Sequence, residues 1–192
     1  MNKTTLIALF AVFLAPVLIA ILLNSQWLDW RPGGTQNHGL LIEPAVRLPD
    51  FHLPTANGEA LNRDQLSGQW QLLHYRPTGC DSACLDALYW MRQVRRAQDR
   101  HQPEVALMLV TPGRIDAATL AEIRELATDY RVLAAESGAE LAQWLPEAGE
   151  DAISYIVDPR GHIILSYPPE ADFNGMRRDL SRLLSWTQDA PE

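Results

Sequence analysis

The apolar positions of this chain come first as one unbroken run and later as short periodic groups. From Leu6 to Leu23 no charged or amide side chain occurs. That is just enough to cross the hydrocarbon core of a bilayer as a helix. No small-x-small cleavage pattern follows, so the run reads as an uncleaved signal anchor over residues 1–24 rather than a removed signal peptide. Trp27 and Trp30 beyond it suit an interfacial position. Lys3 and the amino terminus carry positive charge before the run, whereas Asp29 and Arg31 cancel after it. The positive-inside rule then places the N-terminus in the cytoplasm and the rest outside it. In a bacterium this is a single-pass inner-membrane protein with its C-terminal domain in the periplasm, where disulfides persist.

Residues 25–45 hold Pro32, Gly33, Gly34, Asn37, Gly39 and Pro44 and read as a linker or leader, a tether or irregular cover. Residues 46–188 read as one domain, with 189–192 as a tail. Asn57-Gly58 between short apolar stretches predicts a hairpin. Gln69–Tyr75 and Val105–Val110 predict strands, as do Arg131–Ala134, Ile153–Val157 and His162–Tyr167. Asp158-Pro-Arg-Gly161 joins the last two as a turn. The 3.6-residue period predicts a helix from Cys80 or Asp81 to Asp99, with Cys84, Ala87, Leu88, Trp90, Met91 and Val94 as its apolar positions. Asp116 is a fitting N-cap for a helix over Ala117–Tyr130. A short helix is expected at Glu140–Trp144 and a last one at Asp172–Gln188. Alternating strands and helices with a closing hairpin make an α/β fold, a mixed sheet flanked by helices.

The net charge of −8 and the scattered arginines exclude a nucleic-acid partner, since no basic patch interleaves with aromatics. The tightest basic group, Arg92, Arg95, Arg96 and Arg100, reads as a solvated helical face. His52, His74, His101 and His162 read as structural or surface residues.

Chemistry concentrates at Cys80 and Cys84, the only two cysteines. Side chains four apart on a helix share a face at a separation inside the disulfide range. The pair can close a disulfide, exchange electrons or hold a thiophilic metal. As a redox pair, Cys80 at the helix N-terminus is the attacking thiol and Cys84 resolves. The helix dipole lowers the pKa of Cys80, and the neighbouring Asp81 opposes it by like charge. As a metal pair, two thiolates suit Cu(I), with His38, Glu150 or Asp151 as further candidate ligands. Zinc is disfavoured, because a structural site wants four ligands. A purely structural disulfide over so short a loop gains little chain entropy.

The Asn-Gly hairpin, Leu66-x-Gly68, a strand, Cys-x3-Cys at a helix start and the Val157-Asp-Pro-x-Gly161 hairpin together resemble the Sco/SenC family. So does the leader Asn37-His-Gly-Leu-Leu-Ile-Glu-Pro44. The resemblance implies a thioredoxin-like fold behind one N-terminal transmembrane helix. It also implies assistance in assembling the copper centre of cytochrome c oxidase, by Cu(I) binding or disulfide exchange. The implied partner is the oxidase subunit carrying the copper site or another copper chaperone. Two departures stand out. The family's third copper ligand, a histidine, has no counterpart, and its place falls near Glu150. The residue after the second cysteine is Leu85 where the family commonly has proline. Ala152-Ile153 also occupies the place of the cis-proline of thioredoxin-type oxidoreductases. The alternatives are a general periplasmic thiol–disulfide oxidoreductase that does not involve copper, and an inert thioredoxin-like domain with a structural disulfide.

Overall fold

The structure, a computed structural model, describes residues 37–188 together with Lys3 and residues 12–15. Residues 37–188 belong to one compact unit. Among the described residues no helix is long and apolar enough to cross a membrane. The expected anchor lies outside the described residues, apart from Lys3 and the exposed helical residues 12–15.

The elements run β1 (Leu40–Arg47), β2 (His52–Pro54), β3 (Ala60–Asn62), β4 (Trp70–Tyr75), α1 (Ser82–Arg96), β5 (Val105–Thr111), α2 (Ala117–Leu126), β6 (Arg131–Ala134), α3 (Ala135–Ala142), β7 (Ile153–Val157), β8 (His162–Tyr167) and α4 (Phe173–Gln188). A six-stranded sheet has the order β1-β8-β7-β4-β5-β6, and β2 and β3 pair separately. Strands β4, β5 and β6 are parallel, and β7, β8 and β1 add on antiparallel. This is a thioredoxin-like α/β arrangement.

Every residue of β4 and β5 is buried. Central strands covered on both faces need apolar side chains on both, which is why these two read as continuous apolar runs. Successive side chains alternate between the faces. Trp70 and Leu72 join Cys84, Leu88, Met91, Ile123, Met176 and Leu180 under helices α1, α2 and α4. Leu73 and Tyr75 face the other core, with Leu53 and Leu61 of the β2–β3 hairpin and Leu141 of α3. One row of side chains crosses three strands on the first face. His74 of β4 is registered with Ser154 of β7, and Ser154 with Tyr167 of β8.

The leader departs from the expected irregular tether, because from Leu40 it is the edge strand β1. Its register on β8 jumps from Leu41↔Leu165 to Val46↔Ile163. The extra residues around Pro44 bulge out of the ladder, as proline must where no N–H is available. Helix α1 starts at Ser82 rather than Cys80, and a 3-10 turn at Asp99–Glu104 follows it. Helix α2 stops at Leu126 because Ala127 is extended, which lets the buried Tyr130 reach the Leu88 carbonyl with its hydroxyl at 2.8 Å. Helix α3 begins earlier than expected, at Ala135 with φ +53°. It has no side-chain cap, hence no start signal in the sequence.

Candidate functional site

Cys80 and Cys84 are joined, with S–S 2.01 Å and Cα–Cα 5.1 Å. The two are not successive positions on one helical face. Asp81 is the N-cap of α1, in extended conformation, so Cys80 lies one residue outside the helix and Cys84 at its third position. Cys80 is half-buried while Cys84 has no exposed surface. The asymmetry fits an outer sulfur open to attack and an inner one that leaves or resolves.

Asp81 does not act as a bare like charge beside Cys80. Its carboxylate accepts the Cys84 backbone N–H at 3.0 Å and the Arg76 guanidinium at 2.6 Å. The Cys84 N–H, ahead of Arg76, holds the Asp81 carboxyl below the usual carboxylate range, against a smaller desolvation effect. The cap thus satisfies one of the orphan donors of the helix start, as N-cap carboxylates do. The spacing Asp81-x-x-Cys84 was the sequence signal for it.

The loop before Cys80 is fixed across the molecule. Thr111, at the end of β5 and fully buried, receives the N–H of Gly79 at 2.9 Å and that of Gly113 at 3.0 Å on one hydroxyl. A Cβ on Gly113 would meet the Gly79 nitrogen at 2.1 Å. The two loops therefore pack backbone against backbone, and Gly79 has φ +88°, a region that favours glycine.

His74 lies below this junction, six residues before Cys80 in β4. It is buried, and its Nδ1 meets Ser154 Oγ at 2.9 Å. Its Nε2 has no hydrogen-bond partner among the described residues. Burial, followed by the charge of Arg76, lowers its pKa to about 4, against a smaller upward pull from Asp81. The ring is neutral at ordinary pH.

His38, the leader's candidate ligand, is engaged elsewhere. Asp179 of α4 accepts the His38 N–H at 2.7 Å, the Gly39 N–H at 3.0 Å and the Tyr167 hydroxyl at 2.8 Å on one oxygen. Its other oxygen meets His38 Nδ1 at 3.0 Å. Burial pushes the Asp179 carboxyl up, but the hydrogen bonds from His38, Gly39 and Tyr167 outweigh it and hold it below its usual value. A Cβ at Gly175 would meet the His38 Cβ at 2.6 Å and its ring at 3.0 Å, so the leader is seated closely on α4. Glu150 and Asp151 are exposed in the loop before β7, where Gly149 accepts the Tyr75 hydroxyl at 3.2 Å.

Reduced, Cys80 and Cys84 would give two soft thiolates suited to Cu(I). Among the described residues no group of three or more His, Cys, Asp or Glu side chains is placed to hold a metal ion. Sequence reasoning missed Thr111, Gly113 and Asp179, which come together only through the fold.

Among solved structures the chain is similar to copper-bound ScoI of Arabidopsis thaliana, at 17% identity and TM-score 0.59, covering 74% of this chain and 99% of that one. It is similar to apo Sco1 of Thermus thermophilus, at 18% identity and TM-score 0.61, covering 77% and 96%. It is also similar to BsSco, a Sco-family cytochrome c oxidase assembly protein with a disulfide switch, at 15% identity and TM-score 0.54, covering 73% and 95%. These likenesses establish the thioredoxin-like fold. No curated protein matches the chain by sequence. The family model for the transmembrane-like, thioredoxin-like, C-terminal domain matches residues 70–187, from the first residue of β4 into the last turn of α4, and the chain belongs to that family.

Proposed function

We propose that this is a membrane-anchored thiol–disulfide exchange protein of the bacterial periplasm, serving assembly of the copper centre of a haem–copper oxidase. The observation that carries the reading is the Cys80–Cys84 disulfide at the mouth of α1, with Cys80 half-buried and Cys84 sealed. A partner thiolate can reach only the outer sulfur, and the electron pair then moves to Cys84. Repeated in reverse, the same chemistry reduces a partner disulfide. The cysteine pair of an oxidase copper site must be reduced before it takes metal, which makes it a fitting target. The Sco-like fold and the leading apolar run over residues 6–23 support the placement.

The test is exchange between the full-length protein in detergent and a peptide carrying two vicinal cysteines as a disulfide. The reduced protein should reduce the peptide, and Cys80→Ser should abolish the reaction. A wild-type pair that exchanges neither with the peptide nor with glutathione would overturn the proposal and leave a structural disulfide.

A second reading is favoured by the copper-bound relative of similar fold. Here the reduced pair carries Cu(I) as cargo between its two thiolates. Anaerobic titration against a Cu(I) chelator separates the readings. One copper per chain, lost in Cys80→Ser, supports a carrier, and failure to compete removes it.

A further inference from the structure

The end of the sheet remote from the cysteines carries a polar cleft that the chemistry described so far does not use. A cavity of about 370 Å³ lies there, lined by Gln69, Arg95, Gln102, Asp129 and Arg131. Gln69 precedes β4, whereas the Cys80 loop follows it. The length of β4 therefore separates the two sites, roughly 20 Å at about 3.3 Å per residue.

Two arginines meet one carboxylate in this cleft. Arg95 is committed: its terminal nitrogens reach Asp129 Oδ2 at 2.6 Å and Oδ1 at 3.1 Å, the two-pronged geometry of an arginine–carboxylate pair. Arg131 is held differently. Its Nη1 donates to Gln71 Oε1 at 3.1 Å and its Nη2 to Gln69 Oε1 at 3.3 Å. Among the described residues it forms no ion pair.

Both glutamines are locked with their oxygens toward the guanidinium. Gln71 is 1% exposed, and its Nε2 donates to the Leu66 carbonyl at 3.2 Å and the Gln69 carbonyl at 3.0 Å. Gln69 Nε2 donates to the Pro103 carbonyl at 2.9 Å. Backbone carbonyls thus occupy the nitrogen ends and leave only the oxygens for Arg131. Two neutral acceptors fix a half-buried cation without neutralising it. They use two of the five N–H donors that a guanidinium carries. A charge withdrawn from water is costly unless it is paired. Burial lowers the Arg131 pKa, with Asp129 pulling the other way, so the site is short of a counter-ion.

We infer that this cleft binds a small oxyanion, the carboxylate or phosphate group of a low-molecular-weight ligand, on the pre-oriented guanidinium of Arg131. An arginine fork suits both groups, since each offers two oxygens in one plane. Gln102, exposed at the rim, adds an amide that can donate to the same ligand. Asp129 works against binding, because its carboxylate lines the same cavity and repels a second anion. The inference does not depend on the exchange reading, as the cleft and the cysteine loop share no residue.

The experiment follows thermal unfolding of the oxidised full-length protein in neutral detergent. Sodium phosphate and sodium succinate are each compared with sodium chloride at equal ionic strength and pH. A ligand that binds only the folded state raises Tm as its concentration passes Kd. At least one of the two anions should raise Tm above the chloride control, and the tighter one tells a phosphate site from a carboxylate site. Arg131→Gln should weaken the apparent Kd about tenfold or more, the scale of a charge-assisted hydrogen bond. Asp129→Asn should have the opposite effect. It should be less stable than the parent in chloride, since Arg95 loses its partner, yet bind the anion about tenfold more tightly. A merely structural cluster would lower Tm in every salt alike and leave the difference between anion and chloride unmoved. No rise with either anion overturns the inference. So does a rise that Arg131→Gln retains in full, which is the general stabilisation by excluded salts. Should Arg131→Gln fail to fold, Asp129→Asn decides alone, and an unchanged or weaker anion response in it overturns the inference.

Discussion

Replacing Asp179 with alanine should be the most damaging single polar change in this domain. The carboxylate is 1% exposed and gathers four contacts, from two backbone N–H groups, a tyrosine hydroxyl and a histidine ring. His38 is partly exposed and can turn to water. The Gly39 N–H and the Tyr167 hydroxyl are buried and cannot. Leaving two such groups unpaired costs about 2–6 kcal/mol at roughly 1–3 kcal/mol each, a large part of the roughly 5–15 kcal/mol that holds a domain together. Asp179→Asn keeps an acceptor oxygen of the same shape and gives up only the charge, so its loss should be about 1–2 kcal/mol. Denaturant unfolding of the full-length protein in detergent measures both. The pH dependence has a definite sign. The folded carboxyl is held below its unfolded value, so its contribution is present above the ordinary carboxylate pKa of about 3.9. It disappears as the pH falls through the lower folded value, and Asp179→Asn should remove that acid dependence. An alanine variant within about 0.5 kcal/mol of the parent, below the usual cost of an unsatisfied buried group, would refute the reasoning.

The two sulfurs should differ sharply once separated. Cys84→Ser leaves the half-buried Cys80, which should be alkylated by iodoacetamide at least about tenfold faster than the Cys84 left by Cys80→Ser, since reactivity follows exposure and thiolate character. Asp81→Ala should lower stability by about 0.5–2 kcal/mol through loss of the helix cap, read by denaturant unfolding. Because the Asp81 carboxyl is also held low in the fold, its contribution should be lost as pH falls through that lowered value. Gly113→Ala drives a methyl into the Gly79 nitrogen; it should displace the cysteine loop and change the rate of disulfide reduction by dithiothreitol along with thermal stability.

The sequence was most readable where burial is two-sided. Strands β4, β5 and β7 show as apolar runs because both of their faces are covered. The cysteine pairing was readable from its spacing, but not its geometry, because Cys80 lies before the Asp81 cap rather than on the helical face of Cys84. Strand β1 was not, because only Gly39 and Leu48 at its two ends are buried, its own residues are half-buried or exposed, and Pro44 interrupts it. The surroundings of the cysteines were hidden for a different reason. Thr111 and Gly113 reach the loop from over thirty positions away, and Asp179 meets His38 across 141 residues. Neither contact leaves a local pattern. Asp81 carried a legible capping signal, but its charge drew attention before its geometry.

The seating of the leader has a mechanical consequence. Tension drawn through the chain at Asn37 enters the folded unit at His38 and Gly39, which are clamped to Asp179 on α4, and passes next into β1 along its ladder with β8. A ladder pulled along its strands resists in shear, with several hydrogen bonds sharing the force at once. The load path thus ends at the sheet edge, three strands removed from β4, and the loop that carries Cys80 stays outside it. A reactive pair insulated in this way can hold its geometry while the domain is tugged by whatever it is tied to.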